Sequence, residues 1–262
     1  MQIDFILPVT AVVLGAILGS FLNALSYRFN TGRGMGGRSS CDTCGHTLSP
    51  LDLVPVFSFV FLGGRCRYCS ARISIQNPLV EIAAAILSLM VYLAHPEPLS
   101  YAFWLVVWMT YLFVVVYDLK HTIIPWSCSI LLAVLTFAAL FVSFDWFSIH
   151  LVRPDIWALL AGPILAAPLT LLSLVSHGRW MGWGDGALEV SLGWMLGLSM
   201  GATALMLAFW IGAAVGILLM LLKKGLTMKS ELPFAPFLVL GALAVYFFHV
   251  DFFSSVAFLF QG

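Results

Sequence analysis

ATALMLAFWIGAAVGILLMLL, at residues 202–222, is a continuous run without one charged side chain. At about 1.5 Å per residue, a helix of this length spans ~30 Å, which is the thickness of the hydrocarbon core of a bilayer. A helix that is apolar on every side has no face for water. We therefore predict that this segment crosses a membrane.

Similar apolar runs occur along the whole chain. Eight spans result: 5–27, 78–94, 101–117, 123–144, 156–175, 186–200, 202–222 and 232–248. The chain has 262 residues, of which 61% are apolar and only 9% charged, whereas a soluble domain has about 25% charged residues. The sequence therefore predicts an all-α polytopic membrane protein with about eight transmembrane helices and contacts with membrane lipid.

The basic residues are divided unequally between the two sides of the membrane. If the eight spans alternate in direction, one side receives every Lys and Arg except Arg153. Loops rich in Lys and Arg remain cytoplasmic, so we predict a multi-pass membrane protein with both termini outside the cytoplasm. The formal net charge is zero, which gives no attraction to nucleic acid.

The polar segment at residues 28–77, which we call the cysteine loop, separates the first span from the others. We predict three parts: a first transmembrane helix at 1–27, the cytosolic cysteine loop at 28–77, and a seven-helix membrane domain at 78–262. Pairs of glycines four residues apart, such as Gly15 with Gly19 and Gly193 with Gly197, predict close helix packing. Neither the oligomeric state nor the natural substrate can be predicted from the sequence.

Two CxxC pairs in the cysteine loop predict a metal site. Their 21-residue separation is close to that of a zinc ribbon, and four thiolates complete a tetrahedral shell around Zn²⁺ without an open position. The predicted ligands are Cys41, Cys44, Cys66 and Cys69. The metal would be structural; the alternatives are two disulfides, which a reducing cytoplasm disfavours, or four free thiols.

Two aspartates at the cytoplasmic ends of predicted helices are the candidate catalytic residues. Asp118 ends the third span, and Asp185 closes the sequence GWGD at 182–185. A headgroup-solvated residue and a helix N-cap are the simpler interpretations of the two residues taken singly. However, span 186–200 covers only ~22 Å of helix, so Asp185 is expected to be partly buried in the membrane.

Two neighbouring carboxyl groups can hydrolyse a peptide bond without a covalent intermediate. They hold one proton between them, so that one activates water while the other polarises the scissile carbonyl. Whether the two side chains meet does not follow from the sequence.

The motifs and their order resemble those of the type IV prepilin peptidases, also called prepilin leader peptidase/N-methyltransferases, which are GxGD-type membrane aspartic proteases. The resemblance extends over nearly the whole chain. It rests on GSFLN at 19–23, both CxxC pairs, VPVFS at 54–58, PLVE at 78–81, YD at 117–118, MGWGD at 181–185 and PFAPF at 233–237.

The resemblance implies a bifunctional enzyme. Asp118 and Asp185 match the catalytic pair, which would remove the basic leader of type IV prepilins or type II secretion pseudopilins at the cytoplasmic face. Methylation of the new N-terminus from S-adenosylmethionine would follow. This methyltransferase activity is implied by the resemblance only, and the residues that would bind the cofactor are not identified.

The chain departs from the usual family pattern near both aspartates. Ala187 replaces a lysine, Trp126 an acidic residue and Ala235 a glycine, while Glu189 adds a carboxyl group one turn from Asp185. These changes leave open how the pair is tuned. Other hypotheses are a proton-coupled transporter with Asp118, Asp185, Glu189 and Glu81 as a relay, a non-catalytic assembly factor, and a presenilin-like protease.

Overall fold

The structure is a computed structural model that describes residues 3–30, 37, 39–146, 148–222 and 232–253. Its longer helices follow the predicted apolar runs, and a short helix lies in the cysteine loop. They are α1 Ile3–Arg28, α2 Phe57–Phe61, α3 Gln76–Ala94, α4 Pro98–His121, α5 Trp126–Ala139, α6 Ile156–Ser176, α7 Trp183–Leu222 and α8 Ala235–Phe248.

Within the described residues, five helices are long and apolar enough to cross a membrane: α1, α3, α4, α6 and α7. Two shorter apolar helices, α5 and α8, accompany them. The predicted all-α, multi-pass architecture is confirmed. The chain forms two compact units, Met1–Val116 and Tyr117–Gly262, while the predicted three-part division stays a prediction.

In the first unit, glycines let α1 lie directly against α3. A Cβ atom on Gly15 would be 2.5 Å from the backbone oxygen of Ala84, and one on Gly19 would be 2.9 Å from the Cα of Glu81. A larger residue at either position would collide with backbone. The close packing predicted for this glycine pair is confirmed, and it fixes the two helices that flank the cysteine loop.

In the second unit, α7 packs against α5, α6 and α8. Small residues again permit close approach: a Cβ atom on Gly193 would be 2.7 Å from the Cα of Gly162 in α6, and one on Gly241 in α8 would collide with the backbone oxygen of Ala204. Helices α6 and α8 therefore each approach the backbone of α7 closely.

Helix α7 is broken at Gly197. This residue has φ 76° and ψ 179°, a combination that is essentially restricted to glycine. The two spans predicted at 186–200 and 202–222 correspond to the two segments of α7, but the predicted boundary was three or more residues too late. The packing role predicted for Gly197 was wrong, because a Cβ atom there would meet nothing within 4 Å.

The span predicted at 123–144 was too long. Helix α5 ends at Ala139, and the next residues form an antiparallel hairpin of β1 Val142–Phe144 with β2 Ile149–Leu151. Several basic residues used for the membrane orientation lie outside the described residues: Arg33, Arg38, Lys223, Lys224 and Lys229. The orientation stays a prediction.

Candidate active site and metal centre

Asp118 lies in the last turn of α4 and is only 4% exposed. The chain leaves the helix directly afterwards: the N–H of Thr122 donates to the carbonyl of Asp118 at 2.7 Å, and Thr122 itself has φ 53°. The Asp118 carboxylate accepts a hydrogen bond from the backbone N–H of Ala235, the first residue of α8. Its Oδ2 atom is buried and has no hydrogen-bond partner among the described residues.

Asp185 is the third residue of α7 and is 8% exposed. It is not the N-cap, which was the simpler interpretation, because the helix begins two residues earlier at Trp183. Its carboxylate accepts a hydrogen bond from the backbone N–H of Gly182, as an acidic residue at this position does in a capping box. Asp185 is therefore buried within the protein, while its depth in the membrane stays a prediction.

The structure brings the two aspartates together. They lie in the same compact unit, close enough for their charges to interact. The loop after α4 touches the start of α7 at Gly184, where an added Cβ atom would be 2.8 Å from the Cβ of Ile124. Glycine at this position therefore allows the two segments that carry the carboxyl groups to approach each other.

The variant Gly184→Ala tests the close contact between the loop after α4 and the start of α7. The new methyl group would collide with Ile124, which is 8% exposed, and a displacement of ~1 Å at a catalytic group can cost about 10²-fold in rate. If the two aspartates form the catalytic pair that the motif resemblance implies, we expect a comparable loss of activity, measured by the rate of leader cleavage. The double variant Gly184→Ala/Ile124→Gly should recover most of that loss, because glycine removes the Cβ atom with which the new methyl group collides. No recovery would contradict this explanation.

Two further buried carboxyl groups have different surroundings. Glu189, one turn after Asp185, is 1% exposed, and its Oε2 has no hydrogen-bond partner among the described residues. Glu81 lies in the other unit, where its Oε2 accepts the backbone N–H of Val56 at 2.7 Å. Glu81 therefore has a local structural role, which accounts for its burial without a proton relay.

The four predicted ligands of the cysteine loop converge. The sulfur atoms of Cys41, Cys44, Cys66 and Cys69 all lie within 4.8 Å of one another, and the Cys41 and Cys69 sulfurs are 3.8 Å apart. A tetrahedron with metal–sulfur bonds of ~2.3 Å has edges of ~3.8 Å. The cluster can thus hold a metal ion, and no disulfide joins any of the five cysteines. His46 stacks on Tyr68 with ring centroids 3.7 Å apart.

The environment of the cluster makes its thiols inequivalent. Hydrogen bonds from the backbone N–H groups of Cys44 and Thr43 lower the pKa of Cys41 to about 6. The backbone N–H of Ala71 favours the Cys69 thiolate, but burial and the neighbouring sulfurs outweigh it and raise the pKa of Cys69 to about 12. Four thiols this close cannot all ionise without a cation, which a bound metal would supply.

Asp52 supports the cysteine loop from inside. Its side chain is only 3% exposed and forms an ion pair with Arg67 at 2.7 Å. It also accepts hydrogen bonds from the Ser49 hydroxyl at 2.8 Å and the Ser49 N–H at 3.1 Å. The Ser49 hydroxyl, and after it Arg67, lower the pKa of Asp52. These contacts tie the short 3₁₀ helix Pro50–Leu53 to the second CxxC turn.

The pKa of Asp52 is lower in the folded protein than in the unfolded chain, where it is ~3.9. Its contacts therefore stabilise the loop fully at pH values above ~3.9, and this stabilisation is lost as the pH falls through the pKa of the folded protein. We expect Asp52→Asn to cost about 1–3 kcal/mol at neutral pH. Its deficit in melting temperature should shrink as the pH drops below ~4. Ser49→Ala should destabilise the unmodified protein but add little to Asp52→Asn. A deficit independent of pH would contradict the assignment.

A cavity of about 300 Å³ lies in the first unit beside the cysteine cluster, and we call it the polar cavity after the charged side chains in its mixed polar and apolar lining. The C-terminal half of α1, the cysteine loop and the start of α3 form its walls. Carboxylates, arginines and aromatic rings all contribute to the lining, including Tyr27, Asp42, Phe59, Arg72 and Glu81. A cavity of this size is large enough to hold a small ligand.

Comparison with known proteins identifies the family. Residues 13–95 match the family described as Bacterial Peptidase A24 N-terminal domain. The chain is 32% identical over 243 residues to a prepilin leader peptidase/N-methyltransferase of Bacillus subtilis, covering 90% of this chain and 92% of the relative. The chain belongs to the prepilin leader peptidase/N-methyltransferase family.

Other members of the prepilin leader peptidase/N-methyltransferase family show similar agreement. The Dichelobacter nodosus protein is 32% identical over 209 residues, covering 78% of this chain and 68% of its own length. The protein of Burkholderia pseudomallei strain 1026b is 30% identical over 282 aligned residues, which cover 97% of this chain and 87% of the relative. No solved structure matches the chain. The resemblance drawn from the motifs is confirmed.

Two parts of the site were missed by sequence reasoning. The motif PFAPF was noted only as a point of resemblance, yet the N–H of Ala235 within it hydrogen-bonds Asp118. The contact of Ile124 with Gly184 was also missed. For Ile124 the available signal was its position six residues after Asp118, and for Ala235 it was the presence of PFAPF among the motifs of the resemblance.

Proposed function

We propose that this protein removes the leader peptide of type IV prepilins or type II secretion pseudopilins and then methylates the new N-terminus. One observation carries the peptidase proposal: Asp118 and Asp185 are buried, interact with each other, and lie beside a glycine-lined turn. Family membership favours this function over a transporter or a non-catalytic assembly factor.

In the proposed mechanism, the two carboxyl groups act as a unit and hold one proton between them. The ionised group takes a proton from water as the water attacks the scissile carbonyl, and the protonated group donates to the developing oxyanion. The backbone N–H groups of Ala235 and Gly182 hold the two carboxylates in place. Gly182, where an added Cβ atom would lie 3.3 Å from Oδ2 of Asp185, leaves room for an extended peptide beside that carboxylate.

We further propose that the active site faces the cytoplasm in the bacterial inner membrane. The excess of basic residues on the side that carries both aspartates supports this orientation. Its test is cleavage of a prepilin added outside sealed vesicles: inside-out vesicles should cleave it, and right-side-out vesicles should not.

The ion proposed for the cysteine cluster is structural zinc. Four sulfur ligands favour a soft or borderline metal, and a complete tetrahedral shell leaves no position for substrate. The ion would supply folding energy to a loop whose exposed surface carries many apolar residues. It would take no part in peptide hydrolysis.

For the methyl transfer, we propose the polar cavity of the first unit as the cofactor site. S-adenosylmethionine would supply a methyl group carried on a cationic sulfur. The cavity fits its chemistry: the rings of Tyr27 and Phe59 suit a cation and an adenine, while Asp42 and Arg72 can pair with the amino and carboxylate groups. These residues would bind and orient the cofactor.

The central experiment is incubation of the purified protein with a prepilin, with and without S-adenosylmethionine, followed by mass measurement of the product N-terminus. Leader loss alone is expected without the cofactor, and leader loss plus one methyl group with it. Absence of cleavage in both reactions would overturn the proposed function.

Cofactor binding is tested separately from activity. Calorimetric titration with S-adenosylhomocysteine should show binding that Tyr27→Ala weakens at least about ten-fold, the size expected for one lost stacking contact. The Tyr27→Ala variant should still remove leaders. Unchanged binding would exclude the cavity as the cofactor site while leaving the peptidase proposal intact.

A further inference from the structure

Helix α2 presents an unexpected apolar face. Phe57, Val60 and Phe61 recur at the i, i+3, i+4 spacing of one helical face, and they are 64%, 68% and 84% exposed. Phe59 points elsewhere: its ring lies against Gly64, where an added Cβ atom would be 3.0 Å away. Because Phe59 also lines the polar cavity, the short helix has one face turned inward and one apolar face left uncovered.

One hydrogen bond places the start of α2 next to α3. The N–H of Val56, the residue directly before α2, donates to Oε2 of Glu81 at 2.7 Å. Glu81 lies five residues into α3, or about 7 Å along the helix axis from Gln76. It also packs against Gly19 of α1, in the middle of another candidate membrane span. Because helical side chains lean toward the N-terminus of their helix, the start of α2 lies beside the first turns of α3.

From these contacts we infer that the α2 face of Phe57, Val60 and Phe61 is inserted into the lipid bilayer at its interfacial level. A helix that lies in the membrane plane buries its apolar face about 5–10 Å deep, and α2 lies beside the first turns of a candidate membrane-spanning helix. Leu51, in the preceding 3₁₀ helix, is 68% exposed and extends the apolar surface.

Lipid is the occupant that the structure favours. α3 already presents exposed apolar side chains on its outer surface, with Leu79 57%, Ile82 41% and Ile86 55% exposed, as expected for a helix that faces acyl chains. Lipid acyl chains can cover a patch of phenylalanine and valine beside such a helix, so no protein partner is required. The cysteine loop would then be anchored at three places: by α1, by α3 and by α2.

Photo-crosslinking tests this inference in the full-length protein. The photoreactive residue p-benzoyl-phenylalanine is placed at position 61 instead of Phe61, or at position 68 instead of Tyr68 as an aromatic control. Tyr68 is 45% exposed and belongs to the second CxxC turn. Each variant is reconstituted into vesicles of phosphatidylethanolamine and phosphatidylglycerol, irradiated, digested and analysed by mass spectrometry for lipid adducts.

We expect at least about five-fold more lipid adduct at position 61 than at position 68, because only α2 reaches the acyl region. Position 57 should behave like position 61. Equal yields at positions 61 and 68 would overturn the inference. A crosslink from position 61 to a second copy of the chain, in place of lipid, would overturn it as well and assign the face to a protein contact. Retention of bound metal shows that each variant is folded.

Discussion

Asp185→Asn is expected to lower the rate of leader cleavage by about 10²- to 10⁴-fold, the usual contribution of a positioned acid or base. Asparagine keeps the shape of the side chain but can neither accept a proton from water nor share one with Asp118. The Asp118→Asn variant should lose a similar amount. The double variant should be little worse than either single one, because groups that act as a unit do not contribute additively.

The matched control is Asp145→Asn, in the hairpin of the same compact unit. Asp145 is solvent-exposed, and its ion pair with His150 at 2.8 Å is exposed on both sides, so its loss should change little. Cleavage rates in detergent, with melting temperatures measured in parallel, provide the test. Full activity in Asp118→Asn or Asp185→Asn would disprove the proposed catalytic pair.

Cys66→Ser is expected to abolish metal binding and to unfold the cysteine loop. Cys66 is the most buried of the four ligands, at 5% exposure, and structural zinc supplies on the order of 10 kcal/mol to small domains. Trypsin should then cut rapidly after Arg65, Arg67 and Arg72, which lie beside the second CxxC pair. A strong chelator should have the same effect on the unmodified protein.

Cys128→Ser is the matched control for the cysteine cluster. Cys128 is also buried, at 8% exposure, but it lies in α5 and outside the cluster. Elemental analysis should find one zinc per chain in the control and none in Cys66→Ser. A zinc-free unmodified protein with a protease-resistant loop would rule out a structural metal.

The features that depend on local composition were predictable. An apolar run long enough to cross a bilayer predicts a helix whatever surrounds it, and two CxxC turns bring their thiolates together in pairs. By contrast, the ends of α5 and the break in α7 lie inside apolar stretches where hydropathy does not change. At residues 142–144 the apolar sequence VSF forms a strand because it pairs with residues 149–151.

The proximity of the aspartates depends on tertiary packing. Sequence motifs marked Asp118 and Asp185 separately, but their meeting requires Gly184 to rest on Ile124 and α8 to begin beside the end of α4. Such contacts between distant segments leave no periodic signal in one sequence. The position of α2 beside α3 is of the same kind, because it depends on the hydrogen bond that the N–H of Val56 donates to the distant Glu81.

The hydrogen bond that Asp118 receives from Ala235 comes from the main chain. Alanine-scanning mutagenesis cannot remove it, since the residue is already alanine, and every other side chain except proline keeps the donor. The activities of variants with different amino acids at position 235 would therefore report only how much space the buried side chain has. The role of the main-chain N–H would go undetected. Replacing the amide that carries this N–H by an ester removes the donor and would reveal its role.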